Sequence, residues 1–228
     1  MTLVALATIS LCIKLGFWQY DKALAKQSQQ LQLDTRQAEK PISLLKPLIN
    51  VESLRYKRVK VQGTYHTDYQ IFLDNQVQNT VAGYQVITPL QIQGTQQFVL
   101  INRGWVKGPA NRQVPNVITP GGIQKLEGDI SLPADQFFTL EAPIENKPKW
   151  QPVWQNLDIQ RYVRSVPFYA QPYIVRMDAK SNAGGFVRNW PVPGERVTKH
   201  LGYAYQWFGF ALTIFVIYIV LNIKKVEQ

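Results

Sequence analysis

Cysteine, histidine and methionine are scarce: the 228 residues hold one cysteine, Cys12, two histidines, His66 and His200, and two methionines. A single cysteine excludes both a disulfide framework and a thiolate metal cluster. So thin a supply of soft ligands also disfavours copper carriage. Local catalytic signatures are missing as well: there is no G-x-S-x-G elbow, no P-loop, no H-E-x-x-H pair and no G-x-G-x-x-G turn. The carboxylates Asp74, Asp158, Asp178 and Glu195 are spread over separate elements and read as turn formers and surface charges. His66 stands alone beside Tyr65 and reads as a half-buried strand residue. No nucleophile, base and metal cluster cohere, and the chain is read as a non-enzyme.

Charge is plentiful but undirected. Twenty-five Lys and Arg against 15 Asp and Glu give a net charge of +10, scattered singly or in pairs without a recognition motif, so nucleic-acid binding is not implied. A basic surface beside anionic lipid, or against an acidic partner, accounts for the excess more simply.

Two apolar segments stand at the ends. Residues 208–223 are apolar apart from Thr213 and Asn222, and as a helix residues 201–223 reach about 34 Å, enough to cross a bilayer. Tyr203, Tyr205 and Trp207 sit near one end, where amphipathic rings favour the headgroup region, and Lys224 and Lys225 close the other. "MTLVALATISLCIKLGFWQY" is a weaker copy, interrupted by Lys14 and closing on Phe17, Trp18 and Tyr20. A cleaved signal would show a basic lead and a small-x-small site, and neither is present. The expectation is an anchor helix whose Lys14 snorkels to the interface. Charge counting does not orient the pair, because the intervening segment is too long for the positive-inside rule.

At about 100° per residue, Gly202, Gln206, Gly209 and Thr213 share one face of the second segment, and His200, Tyr203, Ala204 and Trp207 the opposite one. Ala5, Thr8, Cys12 and Gly16 cluster on the first. Small faces allow close approach in lipid. The anchors are therefore expected to pack through them, leaving the His200 face turned outward.

Between the anchors, "DKALAKQSQQLQLDTRQAEK" favours a polar helical stalk ended by Pro41. From Arg55 the period changes to two, and "YKRVKVQGTYH", "YQIFLDN", "GYQVITPLQI" and "QQFVLINRGWV" read as short strands, with Asp74-Asn75 and Gln93-Gly94 supplying turns. Residues 107–122 read as a long exposed loop rich in Pro, Gly and Asn, "IQKLEGDIS" resumes the strand pattern, and "QNLDIQRYVRSV" reads as a short helix. "PYIVRMD" and "FVRNW" read as closing strands. The expected architecture is a membrane protein with two transmembrane helices flanking one mainly antiparallel-β (α+β) extramembrane domain. Its parts are a transmembrane helix at 1–19, a helical stalk at 20–50, the domain at 51–198, a second transmembrane helix at 199–223 and a tail at 224–228.

Two residues carry candidate chemistry. Arg103, at the strand end "INRGWV", either locks that end through hydrogen bonds or holds an acidic partner or a propionate. His200, one helical turn from Tyr203 and two from Trp207, is either a polar headgroup-level residue or an axial ligand to haem iron with the aromatics flanking the macrocycle.

"LGFWQ" after the first apolar segment, "GYQVITPL" followed by "VLINRGWV", and "HLGYAYQWFGFA" opening the second together resemble the surfeit-locus protein one family, membrane assembly factors of haem–copper cytochrome oxidase. The three motifs fall in order across nearly the whole chain. Gly16, Trp18 and Gln19 match the exit of the family's first helix; Gly83, Tyr84, Thr88 and Pro89, and Asn102, Arg103 and Gly104, match its central motifs. Tyr20, Asp21 and Lys22 stand where many relatives carry a more basic run. The resemblance implies an inner-membrane, multi-pass protein with both termini cytoplasmic and a periplasmic central domain. It implies a respiratory-chain role in maturing oxidase subunit one beside other assembly factors. It also implies haem a as a transient cofactor, with His200 as iron ligand and Tyr203, Trp207, Trp18, Gln19 and Arg103 around it. The alternative within that resemblance is a chaperone of the oxidase subunit that binds no haem.

Overall fold

The computed structural model describes residues 2–44, 51–109, 113–132 and 150–226. The chain divides into two compact units, one formed by Met1–Asp34 with Trp190–Gln228 and the other by Thr35–Asn189.

The first unit is a helix pair. Helix α1 (Thr2–Ala38) runs without a break from the apolar segment through the polar stretch expected as a stalk, and α3 (Val197–Val226) follows a 3-10 turn at Pro193–Arg196. Each contains a stretch long and apolar enough to cross a bilayer, and only 11% and 6% of those stretches is buried. Leucines, valines and phenylalanines turned outward on that scale mark lipid-facing helices rather than the core of a soluble fold.

The helices meet antiparallel: Thr2 Oγ1 receives a hydrogen bond from Tyr218 Oη at 3.3 Å, and Gly194 N donates to Gln30 Oε1 at 2.7 Å. Cys12, Gly16 and Ala23 of α1 and Ala204 and Ala211 of α3 are buried along the seam. Gly16, Gln19, Ala23, Lys26, Gln30 and Leu33 alternate steps of three and four, the spacing of a coiled-coil seam. At Gly16 an added Cβ would stand 2.5 Å from Phe208 Cε1, so only glycine admits that ring. Phe17 completes the notch, edge-on to Phe208 at 5.3 Å.

The α1 face is the one expected; the α3 face is not. Gly202 and Gly209 have open space where a Cβ would be, whereas Ala204 and Ala211 pack. The reason is interdigitation: Phe208 inserts over Gly16, which requires small residues on Phe208's own side of α3. His200 consequently lies at the seam, not on a face turned away from it. Replacing Gly16 by leucine is expected to part the helices. A Thr2→Cys, Tyr218→Cys pair in a Cys12→Ala background should be joined by a short bis-maleimide, which bridges the gap left by the tyrosine ring, and the leucine should suppress that crosslink.

The second unit is a sheet. Its strands are β1 (Ile42–Ser43), β2 (Arg58–Tyr65), β3 (Ile71–Gln78), β4 (Val81–Ile92), β5 (Phe98–Lys107), β6 (Ile123–Ser131), β7 (Val153–Trp154) and β8 (Ala170–Met177). The order is β1-β2-β6-β8-β5-β4-β3-β7, and a further β2–β4 pairing at Gly63–Tyr65 closes β2, β6, β8, β5 and β4 into a ring. Most pairings are antiparallel; β1–β2, β3–β7 and β5–β8 are parallel. Alternate residues Val59, Val61, Leu90, Val99, Ile101, Leu126, Ile130 and Val175 fill the interior. A second cluster, with Ile71, Ile87, Leu100, Trp154 and Ile174, is covered by α2 (Ile159–Ser165) through Tyr162. Asp158 caps α2 by accepting from Arg161 N at 2.9 Å.

Several local expectations shift. Residues 42–43 belong to the sheet although they fall in the stretch expected as stalk, and residues 45–50 of that stretch lie outside the described residues. Asp74-Asn75 is a bulge inside β3, with Asn75 at φ 58° and its N–H donating to Asp74 Oδ1 at 2.6 Å. The reversal into β4 comes instead at Asn79 and Thr80, both at positive φ. "FVRNW" contributes one bridge, Val187 to Trp105, rather than a strand. α3 continues to Val226, through part of the expected tail.

Candidate functional site

His200 stands one turn into α3, and buried Ala204 one turn further lets α1 come close enough for Gln19 to reach it. His200 Nδ1 lies 2.8 Å from Gln19 Oε1. With the amide oxygen facing the ring, Nδ1 carries the proton and donates, which leaves the Nε2 lone pair free. Among the described residues Nε2 has no hydrogen-bond partner. This is the arrangement by which a second group fixes the tautomer and orientation of a metal-ligating imidazole. No cluster of three or more metal-binding side chains occurs among the described residues, so a metal here would rely on the single imidazole and on its own ligand field.

The aromatic neighbours are exposed to different degrees. Tyr203 is 45% and Trp18 52% exposed. Trp207 is half-buried and edge-on to Phe210 at 5.8 Å. The Lys22 ammonium lies 5.9 Å from the centroid of the Trp18 ring. The structure thus joins Gln19 directly to His200 and places Tyr203 and Trp207 on the following turns of the same helix. No hydrogen bond or ring contact links Trp18 to His200 among the described residues. Gln19, expected as a cofactor contact, hydrogen-bonds the histidine, and its place in the three-and-four seam is the sequence signal for that pairing.

Arg103 is a correction. It is 0% exposed, and every branch of its guanidinium is engaged: Nε donates to Gly184 O at 2.7 Å, Nη2 to Ile118 O at 2.7 Å, and Nη1 to Thr119 Oγ1 at 2.6 Å and, at 3.3 Å, to Gln70 Oε1 and Thr88 Oγ1. The cation is sandwiched between the Tyr65 and Phe186 rings at 5.0 and 4.8 Å. Burial pulls its pKa below the ordinary value and raises that of the Tyr65 phenol, whose hydroxyl donates to Ala183 O at 2.9 Å. A guanidinium so enclosed has nothing to offer a propionate. It pins the loops around Ile118 and Gly184 onto the barrel.

Other residues of the two central motifs also bond within the sheet unit. Gln85 pairs with Trp105, and Asn102 Nδ2 donates to Gln85 Oε1 at 2.9 Å across the bulge. Trp105 Nε1 donates to Gln76 O at 2.7 Å. Gly104 sits at φ 117°, and a Cβ there would meet Val187 O at 2.7 Å. Gly104→Ala is therefore expected to cost about 1–3 kcal/mol from backbone strain, visible as a lowered Tm of the β signal in circular dichroism.

Residues 6–212 match the sequence model of the SURF1 family. The chain belongs to the SURF1 family. It is 25% identical over 236 residues to a SURF1-like protein of Rickettsia felis, covering 96% of this chain and 95% of that protein. To surfeit locus protein 1 of Xenopus tropicalis it is 25% identical over 250 residues, covering 99% of this chain and 76% of the relative. With surfeit locus protein 1 of Homo sapiens the identity is 25% over 219 residues, 86% of this chain and 69% of the relative. The match runs from within α1 to within α3 and takes in the whole ring of strands, so Gln19, Arg103 and His200 all lie within the matched span.

Proposed function

We propose that this chain is a membrane assembly factor for haem–copper cytochrome oxidase that holds haem a transiently through His200 and presents it for insertion into subunit one. Membership in the SURF1 family supports the assembly role. The observation that supports haem contact is the 2.8 Å hydrogen bond from His200 Nδ1 to Gln19 Oε1, which orients the ring and leaves Nε2 free. The residues fit the group: the His200 imidazole would supply one ligand to the iron, and exposed Tyr203 with half-buried Trp207 would supply apolar surface on the next two turns. A single protein ligand would suit cargo that must be given up. Bound haem supplies the iron whose spectrum reports its ligand. Both helices crossing the inner membrane, with the termini cytoplasmic and the Thr35–Asn189 unit periplasmic, would put the His200 turn at the membrane surface. The partners are subunit one and other oxidase assembly factors, and the chain does no chemistry of its own.

A second reading is a protein-interaction chaperone of the oxidase subunit that binds no haem, and the enclosure of Arg103, which takes away one expected propionate contact, favours it. The two readings separate on one preparation. The detergent-purified chain from cells making haem a is expected to carry a haem spectrum; co-purification of an oxidase subunit without haem at any stoichiometry would favour the chaperone reading.

A further inference from the structure

The seam fixes which way the rest of α1 faces. Cys12 and Gly16 are buried against α3, and Lys14, between them, projects from the opposite side of the helix and is exposed. It is the one charged side chain among residues 1–20. Among the described residues it makes no hydrogen bond or ion pair, and the nearest acid along α1 is Asp21, about 10 Å away by helical rise. Trp18 and Tyr20 mark the headgroup level, which leaves Lys14 about 6 Å inside the apolar stretch. The Cα–Cβ bond of a helical residue tilts toward the helix N-terminus, which for Lys14 is toward Ser10 and away from the aromatic belt. Snorkelling toward Trp18 runs against that geometry. On the same face, Ser10 and Ala7 are exposed and small, which allows another helix to approach closely.

We propose that the Ala7–Ser10–Lys14 face of α1 docks a membrane helix of another protein that carries an aspartate or glutamate at the depth of Lys14. An unpaired ammonium in the apolar layer calls for a carboxylate, and a small flanking face admits a helix to bring it. A second copy of this chain does not supply one, because neither residues 2–20 nor residues 199–223 contain Asp or Glu. The inference rests on α1 being a membrane span and is independent of haem at His200.

The test uses the full chain in its native membrane with a photo-crosslinking amino acid at Ser10. The expected adduct is a protein whose crosslinked peptide is a transmembrane segment containing Asp or Glu. It should fall at least tenfold in Lys14→Leu, persist in Lys14→Arg, and disappear when that partner carboxylate is made an amide. It should also survive His200→Ala, which separates this inference from the haem reading. Bis-maleimide crosslinking of the Thr2→Cys, Tyr218→Cys pair checks that the helix pair is intact in each variant. Adducts to lipid only, no adduct, an adduct to a segment without a carboxylate, or a yield unchanged in Lys14→Leu would each overturn the proposal.

Discussion

Arg103→Leu is expected to unfold the sheet unit at temperatures where the parent is stable. Leucine fills part of the volume but donates nothing. Gly184 O, Ile118 O and Thr119 Oγ1 lose their donors at 2.6–2.7 Å, and Gln70 and Thr88 keep only the 2.7 Å bond between themselves. Three part-buried acceptors left unpaired, at about 1–3 kcal/mol each, amount to about 3–9 kcal/mol at full desolvation. Domains are stable by about 5–15 kcal/mol in total, so the loss is most of what a marginal one has. Arg103→Lys keeps the charge but not the fork, and an ammonium cannot face Gly184, Ile118 and Thr119 from one point. Lysine should therefore recover less than half of the lost Tm. Thermal scans of the full chain in detergent, followed by circular dichroism in the β region, check both variants; a leucine variant with unchanged Tm would refute the pinning role.

His200→Ala is expected to abolish the haem spectrum while leaving the sheet unit's Tm unchanged, because His200 belongs to the helix pair. Gln19 separates ligation from mere exposure of an apolar face. In Gln19→Leu the imidazole keeps Nε2 but loses the acceptor that selects the Nδ1–H tautomer and ring orientation. Outer-shell partners of metal-bound histidines contribute about 10–100-fold in affinity, so haem affinity should fall by that factor in Gln19→Leu and partly return in Gln19→Glu. Titration of haem a into the apo variants, read at the Soret band, measures the series. Equal affinity in Gln19→Leu and the parent would mean that the hydrogen bond has no part in holding haem.

The apolar ends and the change of period at Arg55 were legible because membrane spans and half-buried strands impose patterns on consecutive residues. The α3 packing face was not. Gly202–Gly209 and Ala204–Ala211 are both small pairs seven residues apart, and the choice between them was made by Phe208 entering a notch at Gly16 on another helix. Asn75 was legible as a residue that tolerates positive φ, but whether that produces a turn or a bulge depends on the register with β4. Arg103 shows the same limit at a candidate site. Its strand end suggested an important guanidinium, but its partners lie up to 81 residues away, in loops whose approach no local pattern encodes. The resemblance to the family named Gln19 and His200 together; only the fold across the seam assigned one to holding the other.

The most direct test of haem contact at the helix seam is the optical spectrum of the detergent-purified full chain, taken from cells that make haem a and from cells that do not. The account predicts a haem a spectrum in the first preparation that disappears in His200→Ala, with no haem a signal in the second. A haem a spectrum that His200→Ala leaves unchanged, or a chain that carries no haem from either source, would contradict it.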